Sequence, residues 1–172
     1  MDSAKRREHI MRELRSAERP LSATKFAKEL SVSRQIIVGD VALLRASGEK
    51  ILATPRGYIL ERTNGQIEYT VACVHDFENM EKELNIMVDN GCTVVNVTVE
   101  HPLYGQLTGP LHLSSRYDVS QFMAARREHG ASPLSTLTGG IHLHVLSCPS
   151  EECFERIKAQ LEQAGLLYTQ KQ

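Results

Sequence analysis

Ile141-His142-Leu143-His144-Val145 alternates aliphatic and imidazole side chains with a period of two. That is the period of a β-strand, in which residues two apart share a face and neighbours point oppositely. Read as a strand, the segment sets His142 and His144 side by side, with Ile141, Leu143 and Val145 on the other face. We expect that apolar face to line the core, so that the strand presents its imidazoles rather than burying them. An earlier strand-like run, Ile67-Glu-Tyr-Thr-Val-Ala-Cys-Val74, ends at His75, and a sheet that joins the two runs would gather three imidazoles into a metal site. A single histidine is more often a hydrogen-bonded bystander, and a His-x-His pair is often ordinary solvent-facing polarity. The inference rests on the three together.

Around these runs, strands and helices alternate. Periodicity predicts strands over 67–74, 92–99, 104–113 and 140–147, and helices over 77–90, 118–130 and 151–165. The order β-α-β-β-α-β-α suggests an open sheet with its helices on one face, an α+β sandwich. On the first helix Phe77, Met80, Leu84, Met87 and Val88 form the apolar stripe, and Glu83 falls on its margin beside Met87. Alone, Glu83 reads more simply as surface. Added to His75, His142 and His144 it completes a set of three nitrogens and one carboxylate, which suits a borderline divalent transition metal, zinc or nickel first, with cobalt or iron as alternatives.

The first sixty residues read differently. A helix over 4–17 carries Ile10, Leu14 and Ala17 behind the candidate cap Ser3, and Pro20 closes it. A second helix follows Ser22, with Phe26, Ala27 and Leu30 on one face, and the turn Ser31-Val-Ser33 leads into a third, capped by Ser33, with Ile37, Val41 and Leu44 inward. Two helices joined by a short turn, the second offering polar side chains at its N-terminal end, form the arrangement that reads a major groove. Ser33, Arg34 and Gln35 are therefore candidate DNA contacts. The stretch from Lys50 to Leu60 has two short β runs around Thr54-Pro-Arg-Gly57, a hairpin wing that would carry Arg56 to DNA.

Charge agrees with this division. The formal net charge of the 172-residue chain is −1, yet residues 1–62 hold most of its arginines and lysines and the remainder is acidic, as expected when only one part meets phosphate. We expect a DNA-binding domain over 1–62 and a sensor domain over 67–170, with a boundary in Arg62-Thr-Asn-Gly-Gln66. No signal-like or membrane-spanning run occurs, so the expected compartment is the cytoplasm. Cys73, Cys92, Cys148 and Cys153 contain no Cys-x-x-Cys spacing and read as small core residues.

His75, Glu83, the segment Glu100-His-Pro-Leu-Tyr-Gly105 and Gly139-Gly-Ile-His-Leu-His144, preceded by a helix-turn-helix with Ser33-Arg-Gln-Ile-Ile-Val38, resemble the bacterial 3H transcription regulators, the niacin-responsive repressors of NAD precursor uptake and synthesis genes. The likeness covers nearly the whole chain. It implies a C-terminal fold like the phosphocarrier HPr, a metal held by His75, Glu83, His142 and His144, a homodimer on double-stranded operator DNA, and nicotinic acid as co-repressor. A metal with a spare coordination position accepts a pyridine nitrogen, and the ligand carboxylate then needs a cation or donors. Arg116, Arg126 and Arg127 are the basic candidates and Tyr104, Ser114, Ser115 and Thr138 the neutral ones; His101, Tyr104 and Arg116 are taken forward as effector contacts, though His101 before Pro102 reads equally as a turn cap. Two other functions remain open from the residues: a repressor for which the divalent metal is itself the signal, and a metalloenzyme fused to DNA-binding helices. Against the enzyme, the chain shows no nucleophile elbow, phosphate-cradling glycine loop or paired catalytic carboxylates.

Overall fold

A computed structural model of the chain describes residues 2–61 and 66–169, so the expected boundary at 62–66 lies, apart from Gln66, outside the described residues. The chain forms two compact units, Met1–Thr63 and Asn64–Gln172.

The first unit is a winged helix-turn-helix. Helix α1 (Ser3–Ser16) buries Ile10, Met11 and Leu14. Ser3 is its first helical residue, not its cap: Asp2 holds that position, with no side-chain capping bond. Helices α2 (Ala23–Glu29) and α3 (Arg34–Ala46) do open on their serines, Ser22 accepting from the Lys25 amide and Ser33 from the Ile36 amide. Each hydroxyl thereby satisfies an N–H that the first helical turn leaves without a partner. Strands β1 (Ile51–Thr54) and β2 (Gly57–Leu60) make the wing, and Leu21 exchanges backbone hydrogen bonds with Tyr58 on its outer side. That approach is why a glycine stands at 57: its φ is +135°, and a Cβ there would strike the Leu21 carbonyl. Phe26, Ile10, Leu14, Ile37 and Val41 fill the core.

Leu44, expected inward with Ile37 and Val41, is only partly buried, and the buried position on that face of α3 belongs to Asp40. Its carboxylate receives Arg6 Nε at 2.5 Å and Nη2 at 3.2 Å, with Arg7 Nη1 at 3.5 Å. A forked guanidinium on a buried carboxylate fixes both distance and rotation, so α1 sets the pitch of the reading helix through an ion pair that hydrophobic periodicity does not reveal.

The second unit is an open-faced sandwich. Strands β3 (Ile67–Val74), β4 (Thr93–His101), β5 (Gly105–Leu113) and β6 (Ile141–Cys148) form one antiparallel sheet in the order β3-β6-β4-β5. Helices α4 (Met80–Asp89), α5 (Arg116–His129) and α6 (Glu151–Gln163) supply Leu84, Met87, Val119, Met123, Ile157 and Leu161 to a core shared with Val71, Cys73, Val94, Leu111, Leu113, Leu146 and Cys148 of the sheet. The expected β-α-β-β-α-β-α order is present, with adjustments at element ends. Residues Phe77–Asn79 form a 3-10 turn before α4, and α5 begins at Arg116 because Ser115 caps it, accepting from the Asp118 amide. Beyond α6 the chain returns along the outer edge of β3, where Val74 donates to Leu166 and Tyr168 to Ala72, covering an edge that would otherwise be open to pairing.

One expectation is reversed. His142 and His144 lie on the helix-covered face, each 3% exposed, whereas Ile141, Leu143 and Val145 lie on the open face, with Ile141 40% exposed. Period-two alternation separates the faces of a strand but does not say which is covered. Here the helices pack on the imidazole side.

Removing one partner from a buried ion pair leaves the other charge uncompensated, at a cost of ~3–5 kcal/mol when both are sealed from water. Because Arg6 and Arg7 are partly exposed, Asp40→Ala is expected to cost about 3 kcal/mol, read as a lowered urea midpoint of the first unit.

Candidate metal centre and DNA-reading surface

Register brings the cluster together. Cys73 pairs with His142 and Val71 with His144 across β3 and β6, and His75 follows the last pair, Val74 with Ile141. Helix α4 crosses above them and lowers Glu83, 1% exposed, onto the imidazoles. His142 Nε2 lies 2.8 Å from Glu83 Oε1, while His75 Nε2 and His144 Nε2 lie 2.7 and 3.4 Å from Oε2. Glu83 thus reaches the histidines from directly over the sheet within one chain; neither a route around the sheet edge nor a second subunit is needed. Neighbouring rings stand nearly perpendicular, His75 to His142 at 84° and His142 to His144 at 85°, so that three imidazoles crowd one carboxylate without stacking.

Each ring is held from behind by main chain. Nδ1 of His75 donates to the Asp76 carbonyl at 2.6 Å, Nδ1 of His142 to Gly140 at 2.8 Å, and Nδ1 of His144 to Asn96 at 2.8 Å. A carbonyl oxygen only accepts, so each Nδ1 carries a proton and each neutral ring turns an Nε2 lone pair toward Glu83. Lone pairs facing a carboxylate repel unless a proton or a cation lies between. The Nε2 atoms of His75 and His144 are buried and make no hydrogen bond; the ion-pair distances are short, but the directions do not align.

Electrostatics follow the same geometry. Burial alone would raise the Glu83 carboxyl, yet positive charge on His144 and the close approach of the His142, His144 and His75 rings hold it well below the usual carboxylate range. Burial would lower His75 and His144, and Glu83 reverses this, so both are raised in the metal-free state. Protonation of several buried imidazoles around one carboxylate leaves excess positive charge in a dry site, which is costly. A divalent ion answers the same need while using the lone pairs directly, and the second partner on every Nδ1 is the support expected of ligating histidines. The donor set fits the metal that the sequence suggested.

Sequence reasoning missed Cys73. Its thiol, Glu83 and His142 offer ligand atoms within 4.8 Å of one another. Burial first, and then Glu83, push this thiol far above its ordinary range, so without metal it is a protonated neighbour. Cys73 and His75 are two apart on one strand, the same signal that singled out His142 and His144, but the absence of a Cys-x-x-Cys spacing diverted attention from it.

Gly140, at φ +95°, explains part of the motif before β6. A Cβ there would come within 2.5 Å of the His75 carbonyl oxygen, and Gly140's own carbonyl takes the His142 proton. The residue therefore fits the His75 and His142 segments together.

The candidate effector contacts have partners of their own. His101, at the end of β4, turns Nδ1 to its own hairpin, accepting from the Leu103 and Tyr104 amides at 3.1 and 3.3 Å, and Tyr104 is largely exposed on the same turn. Arg116 is engaged at both nitrogens with Asp89, 2.7 and 2.6 Å away. On the first unit, Arg34 and Gln35 are exposed on the first turn of α3 beside the capping Ser33, and Arg56 is half-buried in the wing turn, where its amide donates to Thr54. Ile36, 43% exposed, and Leu43, 57% exposed, share the outer side of α3 with Gly39, above which a Cβ would meet open space. Gly39 is thus not demanded by internal packing.

A winged helix-turn-helix joined to an α+β domain that encloses a buried histidine–glutamate cluster is the architecture of a DNA-binding regulator. A helix-turn-helix domain family matches residues 6–59 and the 3H domain matches residues 68–170. The chain is 43% identical over 158 residues to the probable transcription repressor NiaR of Thermotoga maritima, covering 92% of this chain and 90% of that protein. It is 39% identical over 168 residues to the transcription repressor NadR of Bacillus subtilis, covering 95% and 93%. It belongs to the 3H-domain family of transcription repressors, as a NiaR- and NadR-like helix-turn-helix repressor of operator DNA, not an enzyme.

Gly140→Ala should place a side chain at a strained positive φ against His75, at a cost of ~1–3 kcal/mol. Thermal unfolding of the metal-free protein should show the loss. Metal affinity should fall beyond what the Tm shift explains, because His75 and His142 are displaced together.

Proposed function

We propose that this chain is a nicotinic acid-responsive repressor of NAD precursor uptake and synthesis genes, cytoplasmic, acting as a homodimer on operator DNA. The observation that carries the sensor reading is the convergence of three Nδ1-anchored imidazoles on buried Glu83. His75, Glu83, His142 and His144 would hold the divalent metal, zinc or nickel, with the Cys73 thiol alongside. Bound there, the ion would supply a Lewis-acidic position for a pyridine nitrogen, which suits nicotinate. Glu83 supplies the anionic charge that keeps the ion in a dry site, and the backbone carbonyls of Asp76, Gly140 and Asn96 keep each Nε2 free to coordinate.

Ser33, Arg34 and Gln35 at the start of α3 would read base edges, with Arg56 of the wing on the backbone or minor groove. A co-repressor acts only by favouring the DNA-competent dimer, and a coupling of ~1–3 kcal/mol changes operator affinity roughly 5–150-fold. The buried position of the cluster also supports a second reading, in which the metal alone is the signal.

Titrating operator binding against metal and nicotinate separately decides between the two. Metal-loaded protein should bind operator weakly until nicotinate is added, and stripped protein should ignore nicotinate; full repression by metal alone would establish the second reading. The double variant His142→Ala/His144→Ala should lose the expected one divalent ion per chain on elemental analysis. Arg34→Ala should weaken operator binding by ~1–3 kcal/mol and relax preference at one position of each half-site, if Arg34 reads a guanine.

A further inference from the structure

Helices α4 and α5 lie antiparallel: Arg116 at the start of α5 meets Asp89 at the end of α4, and Arg126, near the end of α5, meets Phe77 just before α4. The pair therefore has one end at an exposed salt bridge, and at the other Phe77 lies two residues along the chain from His75. At this second end the guanidinium carbon of Arg126 sits 3.2 Å from the Phe77 ring centroid, and its Nε is buried with no hydrogen-bond partner. Among the described residues no carboxylate pairs with it. A buried donor without an acceptor carries a penalty that a protein normally removes. A guanidinium held over a ring face still offers its planar fork of N–H donors, which is the group that receives a carboxylate. Phe77 is 36% exposed, so the stack stands at the surface.

We propose that Arg126, positioned by Phe77, binds the carboxylate of a small planar aromatic acid whose ring nitrogen faces the His75, His142 and His144 centre. This assigns the anion contact to Arg126 in place of Arg116, whose donors are already satisfied by Asp89. The ligand class is a pyridine monocarboxylate, and the inference rests on the reading of the sensor as a nicotinate site.

The test is calorimetry on metal-loaded, full-length protein with nicotinate, nicotinamide, picolinate, isonicotinate and benzoate, for the parent, Arg126→Gln and Arg126→Lys. Loss of a charge-assisted hydrogen bond predicts nicotinate binding roughly 10- to 100-fold weaker in Arg126→Gln. Arg126→Lys should be intermediate, with nicotinamide binding and metal content unchanged in both. Parent-like nicotinate affinity in both variants overturns the assignment while leaving the nicotinate reading intact. A parent that ignores nicotinate but binds another of the carboxylates in an Arg126-dependent manner supports the assignment and overturns that reading. A parent that binds none of the carboxylates overturns both.

Discussion

A carboxylate sealed under a helix with three imidazole lone pairs aimed at it cannot rest as it stands, and the second domain is organised around that constraint. Glu83 lies where an apolar residue would otherwise complete the α4 stripe between Met80 and Met87, so the domain gives up hydrophobic burial at the centre of its helix–sheet interface. What compensates is charge brought to the same point from β3 and β6. Neither half is tolerable alone: the histidines without the carboxylate would be buried polar groups lacking a counter-charge, and Glu83 without them an isolated buried anion.

The backbone carries this arrangement further than the side chains do. His144 is anchored by the carbonyl of Asn96, at the point where β4 shifts register, and the Asn96 side chain also accepts from the Val145 amide. The irregularity in β4 is therefore part of the ligand support. His142 is anchored through Gly140 and His75 through Asp76, so three separate stretches of main chain converge on one cluster. In the first unit Asp40 plays a comparable organising role, fixing α3 against α1 through Arg6 and Arg7.

Much of this architecture is legible in the sequence because it rests on local periodicity and capping. Strand β3 spans its predicted residues, Ser22 and Ser33 cap where serine before an apolar-periodic run says they should, and the three histidines of the cluster can be named from spacing, with Glu83 only on the margin of its helix stripe. What was not legible depends on contacts distant in sequence. The covered face of β6 is decided by where α4 packs; no local pattern marks Asp40 until Arg6, 34 residues away, is placed beside it; Cys73 reads as core until register sets it opposite His142. Arg126 could not be preferred to Arg116 from the chain, since only the tertiary structure shows which arginine is already engaged.

The position of β6 has a consequence for how the protein comes into being. Among the described residues it is the last strand but an inner one in the sheet, and β3 has no strand neighbour except β6. During synthesis the β4–β5 hairpin can close on its own, while β3, with His75 and Cys73, must wait for residues nearly seventy positions downstream. The DNA-binding unit, rich in local helical contacts and made first, has no such delay. Newly made molecules therefore pass through an interval in which α3 is formed and the sheet of the second unit is not.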